Sequence, residues 1–451
     1  MANNYTPRRG TPVHSSASRR SAPLSDSSYT RETRYSSTRP TVRSSRGSRR
    51  KKKSGPPPIL YLAILVLVVL VVAIVLLVRG CSSKSQENQG SDSSNSQVST
   101  VSGVTDGTSQ DPNSSAVSDG QSASPAPDAS AEPTPAPQEE PQADPETIGA
   151  LLIVGDTAYE YYNFNTDLAN EYITAVSDAG KKLSGTATLY DMVVPTSIDI
   201  MLPESYLEKN ADTINTSDQR KAIEEYIYPS IQAMNSSVKT VSTFDALKSH
   251  ANEYLYFRTD HHWTQLGAYY AYEQFCKVRG FEPVSLDNFD KKEYTGYLGS
   301  FYSSSSDAAA KLGGNPDTVE AYIPKANVTL NATQQDGVVL ENWPLVADGD
   351  QYGDTMKYLI YAAGDQPYEE ITNNDKSDGS ACILVKESFG NCFIPFLVNH
   401  YNKVYVVDYR YYTNGTVSQL AQQTGATDVI CLNNISMTRN EDLIDRFSKI
   451  F

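Results

Sequence analysis

The sequence has few of the residues that build metal centres and disulfide frameworks. Five cysteines and five histidines occur among 451 residues. The cysteines are Cys81, Cys276, Cys382, Cys392 and Cys431. Their spacings match no zinc-binding pattern, and an odd number gives no obvious disulfide framework. We therefore expect the last four to be small buried hydrophobic residues, with one structural disulfide outside the cytoplasm as the alternative.

Positive charge is scarce beyond the first 58 residues. Residues 1–58 contain 11 Arg and 3 Lys against two acidic residues, a net charge of +12. Because the whole chain carries −15, the remainder carries −27. So acidic a segment argues against nucleic acid or anionic lipid as its partner. Residues 1–58 are also rich in Ser, Thr and Pro and nearly free of aliphatic side chains, which predicts a disordered tail.

One long hydrophobic run interrupts this polar composition. Residues 59–78 are 20 consecutive apolar residues without a charge, the length of a helix that crosses the hydrocarbon core. The run is too long, and begins too late, for a cleaved signal peptide. Five basic residues, Arg49–Lys53, directly precede it, whereas Arg79 alone follows closely. The positive-inside rule therefore predicts a single-pass membrane protein with a cytoplasmic N-terminus and an extracellular C-terminal part.

A second polar segment follows the hydrophobic run. Residues 79–146 are rich in Ser, Gln, Asp, Pro and Ala and lack periodicity, which predicts a disordered acidic linker. Cys81 at its start is a candidate for acylation, with a free thiol as the alternative. Residues 147–451 have a globular composition and suffice for one large domain.

Strand-like and helix-like segments alternate along residues 147–451. Strands are predicted at 148–155, 187–195, 238–243, 253–259, 381–387, 403–410 and 428–434. Helices are predicted at 165–183, 217–234 (capped by Ser217), 264–280, 390–401, 416–425 and 439–451. Residues 281–375 form an irregular insert with short β signals. This alternation predicts an α/β fold with a parallel sheet flanked by helices, and chemistry at the carboxyl ends of its strands.

The stretch ILVKESFGNCFIPFL places Ser388 at a junction between a buried strand and a helix. A hydroxyl on such a turn is exposed, and the amides at the start of the helix are ready donors for an oxyanion. The candidate donors are Ser388 itself with Gly390 or Asn391. The alternative is that Ser388 only caps the helix, as serine commonly does.

The stretch RTDHHWT lies at a second junction of this kind. If it is extended, Asp260 and His262 point to one face and His261 points to the other. A carboxylate that orients an imidazole is the base half of a serine triad, which Ser388 would complete. The alternatives are a metal bound by the three residues, or histidines that serve structure alone. Because no distant histidine suits a metal, we favour the triad and predict neither metal nor cofactor.

A third stretch, VGDTAY, is similar to the Gly-Asp-Ser start of many esterases, with Thr157 at the position of the nucleophile. Threonine is a poor substitute there without a special activator. The strand-like pattern that follows predicts a hairpin.

The two junction blocks resemble a known family. RTDHHWT with the following LGAYYAY, and KESFGNCFIPFLVNHYNKVYVVDYRYY, resemble the DHHW proteins of bacterial cell envelopes. That family is similar to the SGNH-like domains of alginate O-acetylation proteins, where the histidine motif reads Asp-Thr-His-Trp and precedes the serine. The resemblance covers roughly residues 147–451 and implies an SGNH-hydrolase-like fold. It also implies that Ser388 attacks an acetyl ester, His262 takes its proton and Asp260 orients His262.

The resemblance further implies a function, transfer or removal of O-acetyl groups on a cell-wall or surface polysaccharide. A membrane protein that supplies the acyl group is then an expected partner. Glu387 stands where the family usually has Asp, and no Asn-rich block is assigned to the oxyanion. Arg410 matches a recurring family arginine that contacts substrate or supports the end of the sheet. A non-catalytic glycan-binding or scaffolding protein on a degenerate hydrolase fold stays open as a different class of function.

Overall fold

The computed structural model describes residues 138–451. The tail predicted for residues 1–58, the membrane span predicted for 59–78 and nearly all of the linker predicted for 79–146 lie outside the described residues. Within residues 138–451, none of the helices combines the length and the hydrophobicity that a membrane crossing needs.

Thirteen β-strands form three sheets in this part of the chain. In chain order they are β1 (Pro145–Ile148), β2 (Leu151–Val154), β3 (Thr157–Glu160), β4 (Thr188–Val194), β5 (Lys239–Thr240), β6 (Phe289–Tyr297), β7 (Asp317–Pro324), β8 (Val328–Thr333), β9 (Val339–Trp343), β10 (Tyr368–Asn373), β11 (Ala381–Lys386), β12 (Lys403–Asp408) and β13 (Asp428–Asn434). β1, β2 and β3 form an antiparallel meander, and β6 pairs with β7. The other strands form the main sheet in the order β5-β4-β13-β11-β12-β10-β8-β9.

Eleven α-helices connect or cover these strands in the described chain. They are α1 (Thr166–Lys182), α2 (Ser197–Met201), α3 (Glu204–Lys209), α4 (Tyr228–Met234), α5 (Phe244–Ser249), α6 (Gln265–Arg279), α7 (Ser300–Ser303), α8 (Ser306–Leu312), α9 (Ile394–Leu397), α10 (Val417–Thr424) and α11 (Glu441–Lys449). A π-helical stretch, Lys221–Ile227, leads into α4, and a 3-10 turn, Ser388–Phe393, leads into α9.

The main sheet has a parallel half and an antiparallel half. β5, β4, β13, β11 and β12 run parallel, whereas β10, β8 and β9 add to β12 in antiparallel pairs. The predicted α/β class is confirmed, and the parallel sheet is corrected to a mixed one. The three antiparallel strands all come from residues 281–375, the predicted insert.

Both faces of the parallel strands are covered, which explains why β11 and β13 are buried along their whole length. Alternate residues of β11 point to opposite faces. Cys382 and Leu384 belong to the core that α6 and the insert complete. Ile383 and Val385 belong to the core that α1, α10 and α11 complete. The carboxyl end of β11 therefore lies at the centre of the sheet, between the ends of β13 and β12.

The predicted ends of two helices are confirmed. Asn165 caps α1, because its side chain accepts hydrogen bonds from two amides of the first turn. Thr264 caps α6 in the same way, and α6 ends at Gly280, whose φ of 85° suits glycine. The hairpin predicted at VGDTAY is also confirmed, since β2 and β3 pair directly across it.

Several predicted elements differ in the structure. Residues 148–155 contain a turn at Gly149 and so contribute to two strands, β1 and β2. Ser217 caps no helix, because its hydroxyl accepts the Phe164 N–H (3.0 Å). The strand predicted at 238–243 is reduced to β5. The two strand errors share a cause, since tertiary contacts decide how long a short apolar run stays extended.

Gly267 in the first turn of α6 provides a test of this packing. A Cβ there would lie 2.6 Å from the Leu255 carbonyl oxygen, which already accepts the Thr264 N–H (2.8 Å). We expect Gly267→Ala to lower the free energy of unfolding by about 1–3 kcal/mol, because neither helix α6 nor the hydrogen-bonded Leu255 carbonyl can move away from the added methyl group. Gly314→Ala is the control, since a Cβ there meets open space. Urea unfolding followed by circular dichroism measures both, and equal stabilities would contradict the prediction.

Candidate active site

Ser388, His262 and Asp260 form one hydrogen-bonded chain at the carboxyl end of β11. His262 Nε2 lies 2.7 Å from Ser388 Oγ, and His262 Nδ1 lies 2.5 Å from Asp260 Oδ1. The three residues are 8%, 6% and 3% exposed. In this arrangement Nδ1–H donates to the carboxylate, and Nε2 accepts from the serine hydroxyl.

A tight loop brings Asp260 and His262 together. Tyr256 and Trp263 form a single antiparallel bridge, and the Phe257 N–H donates to the His262 carbonyl (3.2 Å). The strand predicted at 253–259 is therefore wrong, although the two side chains do meet. The opposite orientation predicted for His261 is also wrong. Its ring packs on that of His262, with centroids 3.8 Å apart.

Asp260 is a buried carboxylate that three N–H groups satisfy. Besides the His262 ring, the His262 backbone N–H (2.9 Å) and the Ser300 N–H (2.7 Å) donate to it. Burial alone would raise the pKa of Asp260. The charges of His262 and His261, together with these hydrogen bonds, instead hold that pKa below its usual range. Gly299 allows the close approach, since a Cβ there would lie 2.6 Å from Asp260 Cγ.

Two aromatic residues tie the histidine loop to the serine turn. Tyr358 stacks on the His262 ring, with centroids 3.9 Å apart, and its hydroxyl donates to the Ser388 carbonyl (2.9 Å). The fully buried Trp263 donates its indole N–H to the Phe389 carbonyl (2.9 Å). The orientation of the imidazole and the position of the serine are thus set by the same contacts.

Glu387 caps the turn that carries Ser388. Its Oε2 accepts the Phe389 N–H (3.1 Å), and its Oε1 accepts the Asn434 N–H (2.9 Å). This corrects the alternative in which Ser388 only caps the helix, because Glu387 is the capping residue. The Ser388 hydroxyl instead lies 2.7 Å from His262 Nε2 and 3.2 Å from Glu387 Oε2. Burial raises the pKa of Glu387, while Arg410 and the two amides oppose the rise.

A cleft of about 210 Å³ opens over Ser388. Residues from the ends of three neighbouring strands line it, among them Ser388, Arg410 and Asn434, together with Glu160 and His261. Its position agrees with the sequence-based expectation that chemistry gathers where parallel strands end.

Asn434 is a cleft residue that the sequence analysis missed. Its Oδ1 accepts the Ser436 N–H (2.8 Å), which leaves Nδ2 buried without a partner among the described residues. Such a group costs about 1–3 kcal/mol unless a ligand satisfies it. Ser388 N–H, at the first position of its turn, also lacks an intrahelical acceptor. The Asn433-Asn434 pair is visible in the sequence, but its nearness to Ser388 follows from the order of the strands.

The roles expected for Gly390 and Asn391 are corrected by the structure. The Gly390 N–H donates to the Glu387 carbonyl (3.0 Å), and the Asn391 side chain donates to Asp365 (2.9 Å). Neither lines the cleft. Gly390 serves packing instead, since a Cβ there would lie 2.5 Å from the Lys386 Cβ.

Arg410 lines the cleft, but two carboxylates, the buried Asp408 and the partly buried Asp365, bind its guanidinium. Nε and Nη2 donate to Asp408 (2.9 and 2.6 Å), and Nη2 lies 3.0 Å from Asp365. Lys386, fully buried, lies 3.2 Å from Asp408. Burial would raise the pKa of Asp365, but Lys386 and Arg410 lower it to about 2. Arg410 was predicted either to contact substrate or to support the end of the sheet. Its ion pairs with Asp408 and Asp365 correspond to the second role.

The metal alternative uses the same side chains. Asp260, His261 and His262 bring one ligand atom each within 4.8 Å of one another. A metal on His262 would replace its bond to Asp260 or to Ser388, because both ring nitrogens are engaged. The two chemistries are thus mutually exclusive at this imidazole.

The arrangement can be compared with known proteins. The model of the DHHW protein family matches residues 126–407. This chain belongs to the DHHW family. Among curated proteins, none matches it.

Solved structures resemble the chain over about two thirds of its length. A DHHW family protein from Eubacterium siraeum is 26% identical, with a TM-score of 0.60 over 68% of this chain and 97% of that one. PatB1 from Bacillus cereus, solved with a sulfonyl adduct, is 17% identical, with a TM-score of 0.52 over 67% and 98%. The O-acetyltransferase domain of AlgJ from Pseudomonas putida is 11% identical, with a TM-score of 0.37 over 68% and 99%.

The two tryptophans of the chain provide a matched test of the link between loop and turn. We expect Trp263→Phe to lower the free energy of unfolding by about 1–3 kcal/mol, because the buried Phe389 carbonyl loses its donor. Trp343→Phe removes an indole N–H that has no partner among residues 138–451, so its cost should be smaller. Urea unfolding followed by circular dichroism compares them, and the reverse order of stabilities would refute the assigned role.

Proposed function

We propose that this DHHW-family domain is a serine-dependent acyltransferase or acyl esterase that acts on a cell-wall or surface glycan. The observation that carries the proposal is the chain from Ser388 Oγ to His262 Nε2 (2.7 Å) and from Nδ1 to Asp260 (2.5 Å). Nucleophile, base and orienting carboxylate are all within the reach that such catalysis needs.

The first half-reaction acylates the serine. Ser388 Oγ attacks the carbonyl carbon of an acetyl ester while His262 Nε2 takes its proton. The carbonyl becomes an oxyanion, for which Ser388 N–H and Asn434 Nδ2 are the proposed donors. The bond to the leaving alcohol then breaks, and His262 returns the proton to that oxygen. Asp260 compensates the positive charge of the imidazolium during both transfers.

The second half-reaction restores the serine. Water or a glycan hydroxyl attacks the acetyl-Ser388 carbonyl while His262 takes its proton. The bond between the acetyl group and Oγ breaks, and His262 returns the proton to Oγ. Hydrolysis and transfer differ in the attacking hydroxyl alone, so both belong to the proposal.

A sulfonyl fluoride provides the sharpest test, because PatB1, which shares the fold, was solved with a sulfonyl adduct. We expect the probe to label the purified protein at one site. Ser388→Ala should abolish labelling, and His262→Ala should slow it at least about 100-fold through loss of the general base. Ser184→Ala, at an exposed serine after α1, is the control and should label like wild type.

Other results of this labelling experiment would support one of the two alternative functions. Glycan binding without labelling would support the scaffold function and sink the enzyme. A bound metal in elemental analysis, with an esterase activity that a chelator removes and Ser388→Ala retains, would support a metallohydrolase.

We further propose that residues 59–78 anchor the chain as a single membrane span. Residues 1–58 would lie in the cytoplasm, and the domain of residues 147–451 outside, beyond the linker of residues 79–146. The support is the uninterrupted apolar run and the basic cluster before it. A membrane protein that supplies the acyl group is a further proposed partner, because acyl transfer outside the membrane needs a donor there.

Protease protection in intact cells tests this topology. With an epitope tag at each end, external protease should remove the C-terminal tag and spare the N-terminal one, because the membrane shields the tail. Cell lysis before digestion is the control and should expose both tags. Loss of the N-terminal tag from intact cells would refute the orientation.

A further inference from the structure

A second, larger cleft adjoins the one over Ser388. It measures about 600 Å³ and shares Glu160 and His261 with the smaller cleft. We call it the meander cleft, because Thr147 and Tyr161 from the β1–β3 meander and its exit line it together with Asn215 from the loop after α3. Its volume lies within the range of about 300–1,000 Å³ that small-molecule sites occupy.

Uncharged polar groups without partners line much of this cleft. Asn163, Thr213 and Asn215 are exposed there, and their side chains make no hydrogen bond to the described residues. Tyr161 and Phe301 add aromatic surface to the same walls. Amide and hydroxyl groups bind sugar hydroxyls, and the apolar C–H face of a sugar ring packs on aromatic rings.

The charged side chains of the meander cleft neutralise each other. Arg439 Nη2 lies 3.1 Å from Glu160 Oε1 and also donates to the Tyr161 carbonyl (3.0 Å). Glu160 Oε1 additionally accepts the Ser436 hydroxyl (2.7 Å). No other Lys, Arg, Asp or Glu lines the described walls of this cleft. A carboxylated sugar would therefore have to compete with Glu160 for Arg439, the cation of these walls.

The region where the meander cleft meets the cleft over Ser388 also lacks an unpaired positive charge among the described residues. Partial burial and the charge of His262 lower the pKa of His261 to about 4, so that its ring is neutral at pH 7. Arg410, on the far side of that boundary, is held by Asp408 and Asp365. The path from the meander cleft to Ser388 thus offers hydrogen-bonding groups without an uncompensated cation.

We propose that the meander cleft binds the acceptor glycan and selects uncharged sugars over polymers of uronic acids. This inference rests on the proposed acyl transfer. Because the two clefts share Glu160 and His261, a sugar held in the larger one presents a hydroxyl toward acetyl-Ser388. His262 takes the proton of that hydroxyl, the bond between the acetyl group and Ser388 Oγ breaks as the glycan oxygen bonds to the acetyl carbon, and His262 returns the proton to Oγ.

The test uses the full chain in detergent with 4-nitrophenyl acetate as the acetyl donor. Tetra-N-acetylchitotetraose is the uncharged acceptor, and tetragalacturonate is the anionic acceptor of equal length. Mass spectrometry measures acetylated tetrasaccharide, and nitrophenol release without acceptor measures acylation and hydrolysis. We expect at least about tenfold more transfer to the uncharged acceptor, since a carboxylate loses water there and gains no cation that is not already paired.

A lysine in the meander cleft should change this preference. Asn215→Lys and Thr213→Lys each place a cation beside the bound sugar, and each should shift the ratio of the two transfer rates toward tetragalacturonate by about tenfold. Gln423→Lys, at an exposed position on α10 outside both clefts, makes the same change of charge. It should leave the ratio and the nitrophenol release unchanged.

The outcomes separate this inference from the proposed function. No nitrophenol release by wild type would sink the proposed function and the inference with it. Release with no transfer, with equal transfer to the two acceptors, or with a preference that neither lysine variant alters would overturn the inference alone. Calorimetric titration of Ser388→Ala with each tetrasaccharide gives a further readout without turnover, and tighter binding of tetragalacturonate would also overturn it.

Discussion

The candidate site depends on one buried charge, the carboxylate of Asp260. A charge removed from water needs close compensation, or it costs several kcal/mol. Asp260 obtains that compensation from the Ser300 N–H and from the backbone and the ring of His262. These donors also fix the loop and turn the imidazole, so that Nε2 points in one direction. Ser388, 126 residues further along the chain, lies in that direction. One desolvated carboxylate therefore orders groups from distant parts of the sequence.

A second layer of charge keeps the strand ends in place beneath the cleft. Lys386 and Arg410 alternate with Asp408 and Asp365, and each cation lies within 4 Å of both carboxylates. Lys386 and Asp408 are fully buried, and removing one partner of such a pair typically costs about 3–5 kcal/mol, because it leaves an unpaired charge. The network ends two residues before Ser388. The ends of β11 and β12 are thus held together, and this also restrains the serine turn that follows β11.

The sequence predicts correctly those features of the fold that depend on interactions between residues close together in the chain. The caps at Asn165 and Thr264 follow from side-chain chemistry within one turn, and the strand–helix alternation follows from hydrophobic pattern. Ser388 was placed at its junction for the same reason. Asn434 and Tyr358 could not be found in this way, because both reach the site through the order of the strands and the path of the insert. Even the nearness of Asp260 to His262 was predicted through an extended backbone, whereas a closed loop achieves it.

The two adjacent histidines differ in which ring nitrogens are hydrogen-bonded and in how exposed their side chains are. His262 has both nitrogens engaged, and its ring lies between Tyr358 and His261. His261 uses Nδ1 toward Ser300 (2.6 Å), and its side chain, 34% exposed, borders both clefts. A smaller residue at position 261, such as threonine, would uncover one face of the His262 ring and remove much of the surface that the two clefts share. A histidine keeps both surfaces covered. Under the proposed function, the first histidine of the pair therefore lines the path from acceptor to nucleophile without taking part in proton transfer.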